Sequence, residues 1–255
     1  MVNDLIWGHP LNRTTSNLKM LYELLPASVA EALEPHARIV PRQAGHIIIG
    51  YGDRTSDVYL VLEGTLRAEL HSPNGRETIL GDLGPGELFG EFAALDDQPR
   101  SATVVATTDC MIACLPASVF REAVFAAPES AEWIARRLVG RIRLLDERIF
   151  ELNALAVRSR LHCELLRLSL AAGISDNQAR IAPAPTHGEL ASRIGTHREA
   201  VTRELQYLLK QDIVAQNRRE LVVYDVAGLA QIVRAAAGDV DIIQRAAAHV
   251  PEEMV

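Results

Sequence analysis

Cysteine is scarce in this 255-residue chain, with Cys110, Cys114 and Cys163 its only three. Three scattered thiols exclude a disulfide framework. No apolar run approaches the ~18 residues needed to cross a bilayer. Met1 to Pro10 has neither a basic segment nor an apolar core, so no secretory signal is read there and a cytoplasmic protein without a membrane partner is expected. Basic charge is not in excess either, since 26 Lys/Arg stand against 33 Asp/Glu for a net charge of −7. Catalytic signatures are also missing. The eight histidines form no metal-ligand spacing, and no nucleophile–base motif or P-loop occurs, so neither an enzyme nor a metal or other resident cofactor is expected. What is present is globular composition, 48 % hydrophobic and 23 % charged, at a length that favours two domains.

The charge is unevenly placed. Val157 to Asp225 holds ten Lys/Arg against eight Asp/Glu, so the acidic excess lies elsewhere. Arg193, Arg198, Arg203, Lys210, Arg218 and Arg219 cluster within this stretch. An acidic body with one basic surface can bind phosphate, because the local field governs the contact. A chance cluster on a solvated helix is the alternative.

Three segments differ in period. Between Pro41 and Leu115, glycines at 45, 52, 64, 75, 86 and 90 separate short strand-like runs. Leu66, Ala68 and Leu70 alternate with Arg67, Glu69 and His71, and many such strands predict a small sandwich or barrel. From Pro128 the period becomes helical. Leu138, Ile142, Leu145, Ile149, Leu152 and Ala156 recur at spacings of 4, 3, 4, 3 and 4, an a/d seam that points to a two-fold dimer or to packing on the chain's own domain. In the last third, Arg160 to Ala171 has helical periodicity, and Gly173 to Pro185 reads as loop. Thr186…Glu189 and Thr196…Glu199 are both capping-box patterns. They predict helices over about 186–194 and 197–210 around Gly195, a helix-turn-helix. Ile213-Val214, Asn217-Arg218-Arg219 and Leu221 to Tyr224 read as strand, basic turn and strand, a wing.

The most specific stretch is Gly86-Glu87-Leu88-Phe89-Gly90-Glu91-Phe92-Ala93-Ala94-Leu95, followed by Pro99-Arg100-Ser101-Ala102. Gly90 permits close backbone approach and Glu91 offers an acceptor for hydroxyls. Phe92 to Leu95 can form a helical turn with free N–H groups, and Arg100 and Ser101 supply donors for phosphate. The set suits a ribose–phosphate ligand, or else an internal Glu91–Arg100 salt bridge.

This stretch resembles the phosphate-binding cassette of cyclic-nucleotide-binding domains. The whole order of glycine-rich roll, seam helix and winged helix-turn-helix is similar to the CRP/FNR family of bacterial transcription regulators, over roughly residues 20 to 225. The resemblance implies an α+β architecture: a jelly-roll-like β-roll (1–127), a dimerisation helix (128–156) and a winged helix-turn-helix (157–228). The alanine-rich tail reads as a helical C-terminal extension (229–255) that runs past the usual end of that fold. It implies Glu91 on the ribose hydroxyl, Arg100 and Ser101 on the cyclic phosphate, and Gly90, Phe92 and Ala93 beside them. The cysteines do not fit the iron–sulfur branch; Cys110 and Cys114 read as core strand residues. A haem-sensing variant through His46 or His71 has no support in the sequence. Where cAMP-responsive members carry a Thr-Ser pair against the adenine, this chain has Leu145 and Asp146. A carboxylate can accept two hydrogen bonds from guanine, so cGMP is expected to rival cAMP; an exposed Asp146, or one paired with Arg143, is the alternative. On the second helix of the motif, Arg198, Glu199 and Arg203 match the family's readers of a TGTGA-like half-site, with Thr196, His197 and Thr202 nearby for phosphate. Glu199 is also the capping partner of Thr196. The expected protein is a homodimer that binds double-stranded DNA under control of cAMP or cGMP, with RNA polymerase as a further partner; a constitutive regulator, or one with a non-nucleotide effector, is the rival reading.

Overall fold

The computed structural model describes residues 21–238 and 240–247. It divides into two compact units, one ending at Gly140 and the other starting at Arg141.

In the first unit, helix α1 (Ala27–Leu33) and a short 3-10 turn lead into eight strands: β1 (Arg38–Arg42), β2 (Ile47–Ile49), β3 (Val58–Glu63), β4 (Leu66–His71), β5 (Glu77–Leu83), β6 (Leu88–Phe89), β7 (Thr103–Ala106) and β8 (Cys110–Leu115). The single helix α2 (Glu91–Asp96) interrupts them. The strands form two antiparallel sheets, ordered β1-β8-β3-β6 and β2-β7-β4-β5. The alternation read at Leu66–Leu70 reappears as burial of Leu66 and Ala68, which with Val61, Ile112 and Val104 fill the space between the sheets. β3 and β8 are buried on both faces. Leu60, Leu62, Ala113 and Leu115 meet Phe120 of helix α3 (Ala117–Phe125), Leu33 of α1 and Ile134 at the start of helix α4 (Pro128–Ala154). Two-sided burial explains why β3 reads as a continuous apolar run rather than an alternating one. Cys110 and Cys114 are buried in β8 as free thiols, raised in pKa chiefly by that burial.

The second unit contains the rest of α4, then α5 (Val157–Ala172), β9 (Ile174–Ser175), β10 (Gln178–Ile181), α6 (His187–Ile194), α7 (Arg198–Lys210), β11 (Val214–Gln216), β12 (Leu221–Val223), α8 (Val226–Ala237) and α9 (Asp241–Ala247). Gly173 to Pro185, expected as loop, contains a hairpin. Asp176 and Asn177 both take left-handed φ values, 52° and 59°, and turn β9 into β10, whose other edge is paired by β12. The strands are too short to produce a visible alternation, so the pairing partner decides them. After Asp225 the alanine-rich stretch forms α8 and α9, and it is core: Leu229, Val233, Ile242 and Ile243 are fully buried beside Leu161, Leu165, Leu190 and Leu205; the part of the expected helical extension over 248–255 lies outside the described residues.

α4 and α5 are separated by a break at Leu155–Ala156, where Arg160 donates to the carbonyls of Leu152 and Leu155. A buried charge network spans the break. Glu164 accepts from Arg148 at 2.7 Å, Arg167 at 3.1 Å and Arg193 at 3.5 Å, while Glu151 accepts from Arg167. Burial, helped by the neighbouring Arg148 charge, lowers the Arg167 guanidinium to about 9.

Candidate functional site

Residues 86 to 101 are folded around one arginine. β6 ends at Phe89, and Gly90 starts α2 with φ +82°. A Cβ at Gly90 would lie 2.8 Å from the nearer guanidinium nitrogen of Arg100 and 3.1 Å from the Asp57 carbonyl. Glycine is thus demanded twice, by conformation and by space. Arg100 is 3 % exposed. Its Nε donates to Thr55 Oγ1 at 3.0 Å, and its terminal nitrogens donate to the carbonyls of Gly90 at 2.8 Å and Asp57 at 2.7 Å. The guanidinium also lies 5.8 Å from the Tyr59 ring centroid, and Tyr59 stacks on Phe89 at 5.1 Å. Burial lowers the Arg100 pKa and raises that of Tyr59.

All three acceptors of Arg100 are neutral oxygens, so nothing in this set cancels its charge. A guanidinium has five N–H groups, and two remain after these three bonds. Residues 50–57 close over it, with Arg100 N donating to Asp53 O and Gly52 N donating to Arg100 O, both at 2.9 Å. Glu91 is the first residue of α2, half-buried, with Phe92 38 % exposed, Ala93 buried and Ser101 exposed. Of the residues singled out in the sequence, Gly90 packs directly on Arg100, Glu91, Phe92 and Ala93 follow it on α2, and Ser101 adjoins Arg100 in the chain. Four supporting residues were not legible: Thr55, Asp57 and Tyr59, and Arg137, which donates to Leu88 O at 2.8 Å and ties α4 to β6. Two act through carbonyls or a hydroxyl of a loop, which no side-chain pattern advertises. Leu145 and Asp146 are exposed on α4 in the second unit. Asp146 forms no ion pair with Arg143 among the described residues.

The second unit presents another kind of surface. Thr186 caps α6 with the full reciprocal box, accepting from Glu189 N at 3.1 Å while Glu189 accepts from Thr186 N at 2.7 Å. Gly195 ends α6 with φ +65°. The second box does not form. Thr196 N donates to Ala191 O at 3.0 Å and belongs to the turn, so His197 becomes the N-cap of α7, without a side-chain cap. A tight turn thus places Thr196 one residue too far out to cap, and Glu199 stands exposed beside Arg198. Val201, Leu205 and Leu208 bury the inner face of α7, leaving His197, Arg198, Glu199 and Arg203 exposed. Thr202 Oγ1 donates to Arg198 O at 2.9 Å and lies 2.8 Å from His187 Nδ1. His187 Nε2 in turn lies 3.2 Å from Gln216 Oε1 on β11. His187, missed in the sequence because a lone histidine carries no pattern, locks this helix to the wing. In the wing turn, Asn217 Oδ1 accepts from the amides of Arg219 and Glu220, which leaves Arg218 and Arg219 exposed.

A roll built around a buried arginine, followed by a winged helix-turn-helix with an exposed Arg-Glu…Arg face, defines a ligand-binding domain joined to a DNA-binding domain. The profile of the cyclic nucleotide-binding domain matches residues 40–126, and that of the Crp-like helix-turn-helix domain matches residues 159–232. The chain is 33 % identical over 214 residues to the cyclic AMP receptor protein of Thermus thermophilus, covering 84 % of this chain and 95 % of that one. It is 25 % identical over 210 residues to a CRP-like cAMP-activated global transcriptional regulator of Mycobacterium tuberculosis, covering 82 % and 93 %. Among solved structures, FixK2 from Bradyrhizobium japonicum superposes with a TM-score of 0.68 at 20 % identity, covering 76 % of this chain and 96 % of that one. A CRP/FNR family regulator from Thermus thermophilus gives 0.64 at 27 % identity, covering 78 % and 100 %. The chain belongs to the CRP/FNR family and is a DNA-binding transcription regulator. No helix among the described residues is long and apolar enough to cross a membrane.

Proposed function

We propose that this regulator is a homodimer whose DNA binding is switched by a cyclic nucleotide held at Arg100. The observation that carries this reading is the buried Arg100 guanidinium beside Gly90, hydrogen-bonded only to neutral oxygens, at the head of a helix that begins with Glu91. Arg100 and Ser101 take the cyclic phosphate, and Glu91 takes the ribose hydroxyl. The names of relatives that respond to cAMP support this ligand class. Asp146 accepts from the base, which places cGMP in competition with cAMP. The dimer is supported by the seam, since Ile142, Leu145, Ile149 and Leu152 are 45–58 % exposed in the single chain. Such a stripe at heptad spacing is covered by its symmetry mate.

On DNA, Arg198 and Arg203 take guanine edges and Glu199 accepts from cytosine in TGTGA-like half-sites one helical turn, ~34 Å, apart. His197 and Thr202 contact phosphates, with Thr196 beside them, and RNA polymerase is the partner through which bound regulator would act. Calorimetry with cAMP and cGMP, on wild type and on Arg100→Gln and Asp146→Ala, tests the switch. Micromolar binding lost in Arg100→Gln supports it, and the nucleotide weakened by Asp146→Ala identifies the base partner. One observation favours the rival, a regulator without a nucleotide. Three of the five N–H groups of Arg100 already serve the loop 50–57 and Gly90. Absence of binding to either nucleotide, with operator binding intact, would establish it. Arg203→Ala tests the DNA reading, with an expected loss of about 1–3 kcal/mol on the specific site only.

A further inference from the structure

The second unit contains a cleft that neither the nucleotide nor the DNA reading uses. It has a volume of about 480 Å³ and opens between α5, α7 and α8. Arg158 and His162 come from α5, Glu204 and Tyr207 from α7, and Ile232 and Ala235 from α8. That size lies within the range of small-molecule sites. We propose that this cleft binds a small amphipathic acid, one that carries a carboxylate, a hydrogen-bond donor and an apolar body, the class of apolar amino or hydroxy acids.

Each wall contributes one requirement. Arg158 is exposed and forms no ion pair among the described residues, so it is available to a carboxylate. Glu204 is fixed by His162, whose Nε2 lies 2.8 Å from its Oε1. The imidazole is 3 % exposed and its Nδ1 has no hydrogen-bond partner. Burial lowers the pKa of His162, and its Nε2 holds the Oε1 of Glu204 in place. The second carboxylate oxygen of Glu204 can then accept from an ammonium or a hydroxyl. Ile232, 37 % exposed, and Ala235 supply an apolar wall, and the exposed ring of Tyr207 supplies an aromatic one. An acid without a donor would leave Glu204 facing the carboxylate, and an amine without a carboxylate would leave Arg158 unused.

Glu204 directly follows Arg203 on α7, so a ligand held in the cleft clamps the helix that presents Arg198, Glu199 and Arg203. Binding there changes operator affinity, and operator changes affinity for the acid by the same factor. The test is calorimetry on the full-length protein with L-phenylalanine, L-3-phenyllactate, 3-phenylpropanoate and phenethylamine. Saturable binding of phenylalanine or phenyllactate is expected, at one per chain. 3-Phenylpropanoate and phenethylamine should bind at least about tenfold more weakly, and operator affinity should shift by about fivefold or more. Arg158→Gln, and Ala235→Phe, which fills the cleft from an exposed position, should each remove the binding, with thermal melts establishing that both variants fold. Binding of none of the four, binding that survives both substitutions, or 3-phenylpropanoate binding as tightly as phenyllactate would overturn the assignment. Cyclic-nucleotide binding to either variant should be unchanged, so failure here is separable from failure at Arg100.

Discussion

Both units bury arginine, but they neutralise it differently. In the roll, Arg100 donates to a threonine hydroxyl and two backbone carbonyls, so its hydrogen bonds are met by dipoles, and the Asp57 and Asp53 carboxylates act on it without forming an ion pair. In the second unit, Arg148, Arg167 and Arg193 converge on Glu151 and Glu164, so charge is met by charge. Dipolar solvation leaves a field that attracts an anion into a low-dielectric site. Carboxylate pairing consumes that field and leaves a rigid joint. The same side chain is therefore a binding group in one place and a structural tie in the other.

The contrast can be broken at its strongest point first. Glu164→Gln removes the buried carboxylate that three arginines share and leaves Glu151 to serve Arg148 and Arg167 alone, so a loss of up to about 3–5 kcal/mol is expected in chemical denaturation. A loss under ~1 kcal/mol would mean that water, not Glu164, serves those arginines. Arg100→Lys keeps the charge but not the fork. It should cost about 1–3 kcal/mol of stability through the unserved carbonyls of Gly90 and Asp57, and abolish the phosphate geometry as well. Equal nucleotide affinity in this variant would show that charge alone suffices.

A smaller effect separates the two capping motifs. Thr186→Ala should cost about 1 kcal/mol, because its hydroxyl serves the Glu189 amide, whereas Thr196→Ala should leave the melting temperature unchanged. The gentlest test is pH. Burial lowers the His162 pKa, so the unfolded chain accepts a proton near pH 6.5 that the folded chain refuses. Stability present above about pH 6.5 should decline as the pH falls toward the lowered folded value. Melts between pH 8 and 5 should show that slope, and His162→Asn should flatten it.

Much of this was legible from one dimension. The alternation at Leu66–Leu70 placed a strand, the seam from Leu138 to Leu152 placed the long helix, though its last member, Ala156, falls beyond the break as the N-cap of α5, and Thr186…Glu189 placed the start of α6, because each pattern reports a local geometry that repeats. Residues 90–101 were legible as a candidate site because their chemistry is contiguous. The duplicate pattern Thr196…Glu199 misled for the opposite reason: whether a threonine caps depends on where the preceding turn closes, and Gly195 closes it one residue late. β9 and β10 escaped because strands of two and four residues are defined by their partner, not their composition.

By itself, then, the sequence determined the order of elements, the apolar faces and the identity of the charged groups, since periodicity and side-chain chemistry are local properties. Only the tertiary structure decided which arginines meet carboxylates and which meet carbonyls, that His187 joins helix to wing, and that a cleft forms behind α7. Those outcomes depend on distances between residues far apart in the chain, and backbone oxygens, which every residue possesses equally, leave no mark in a sequence.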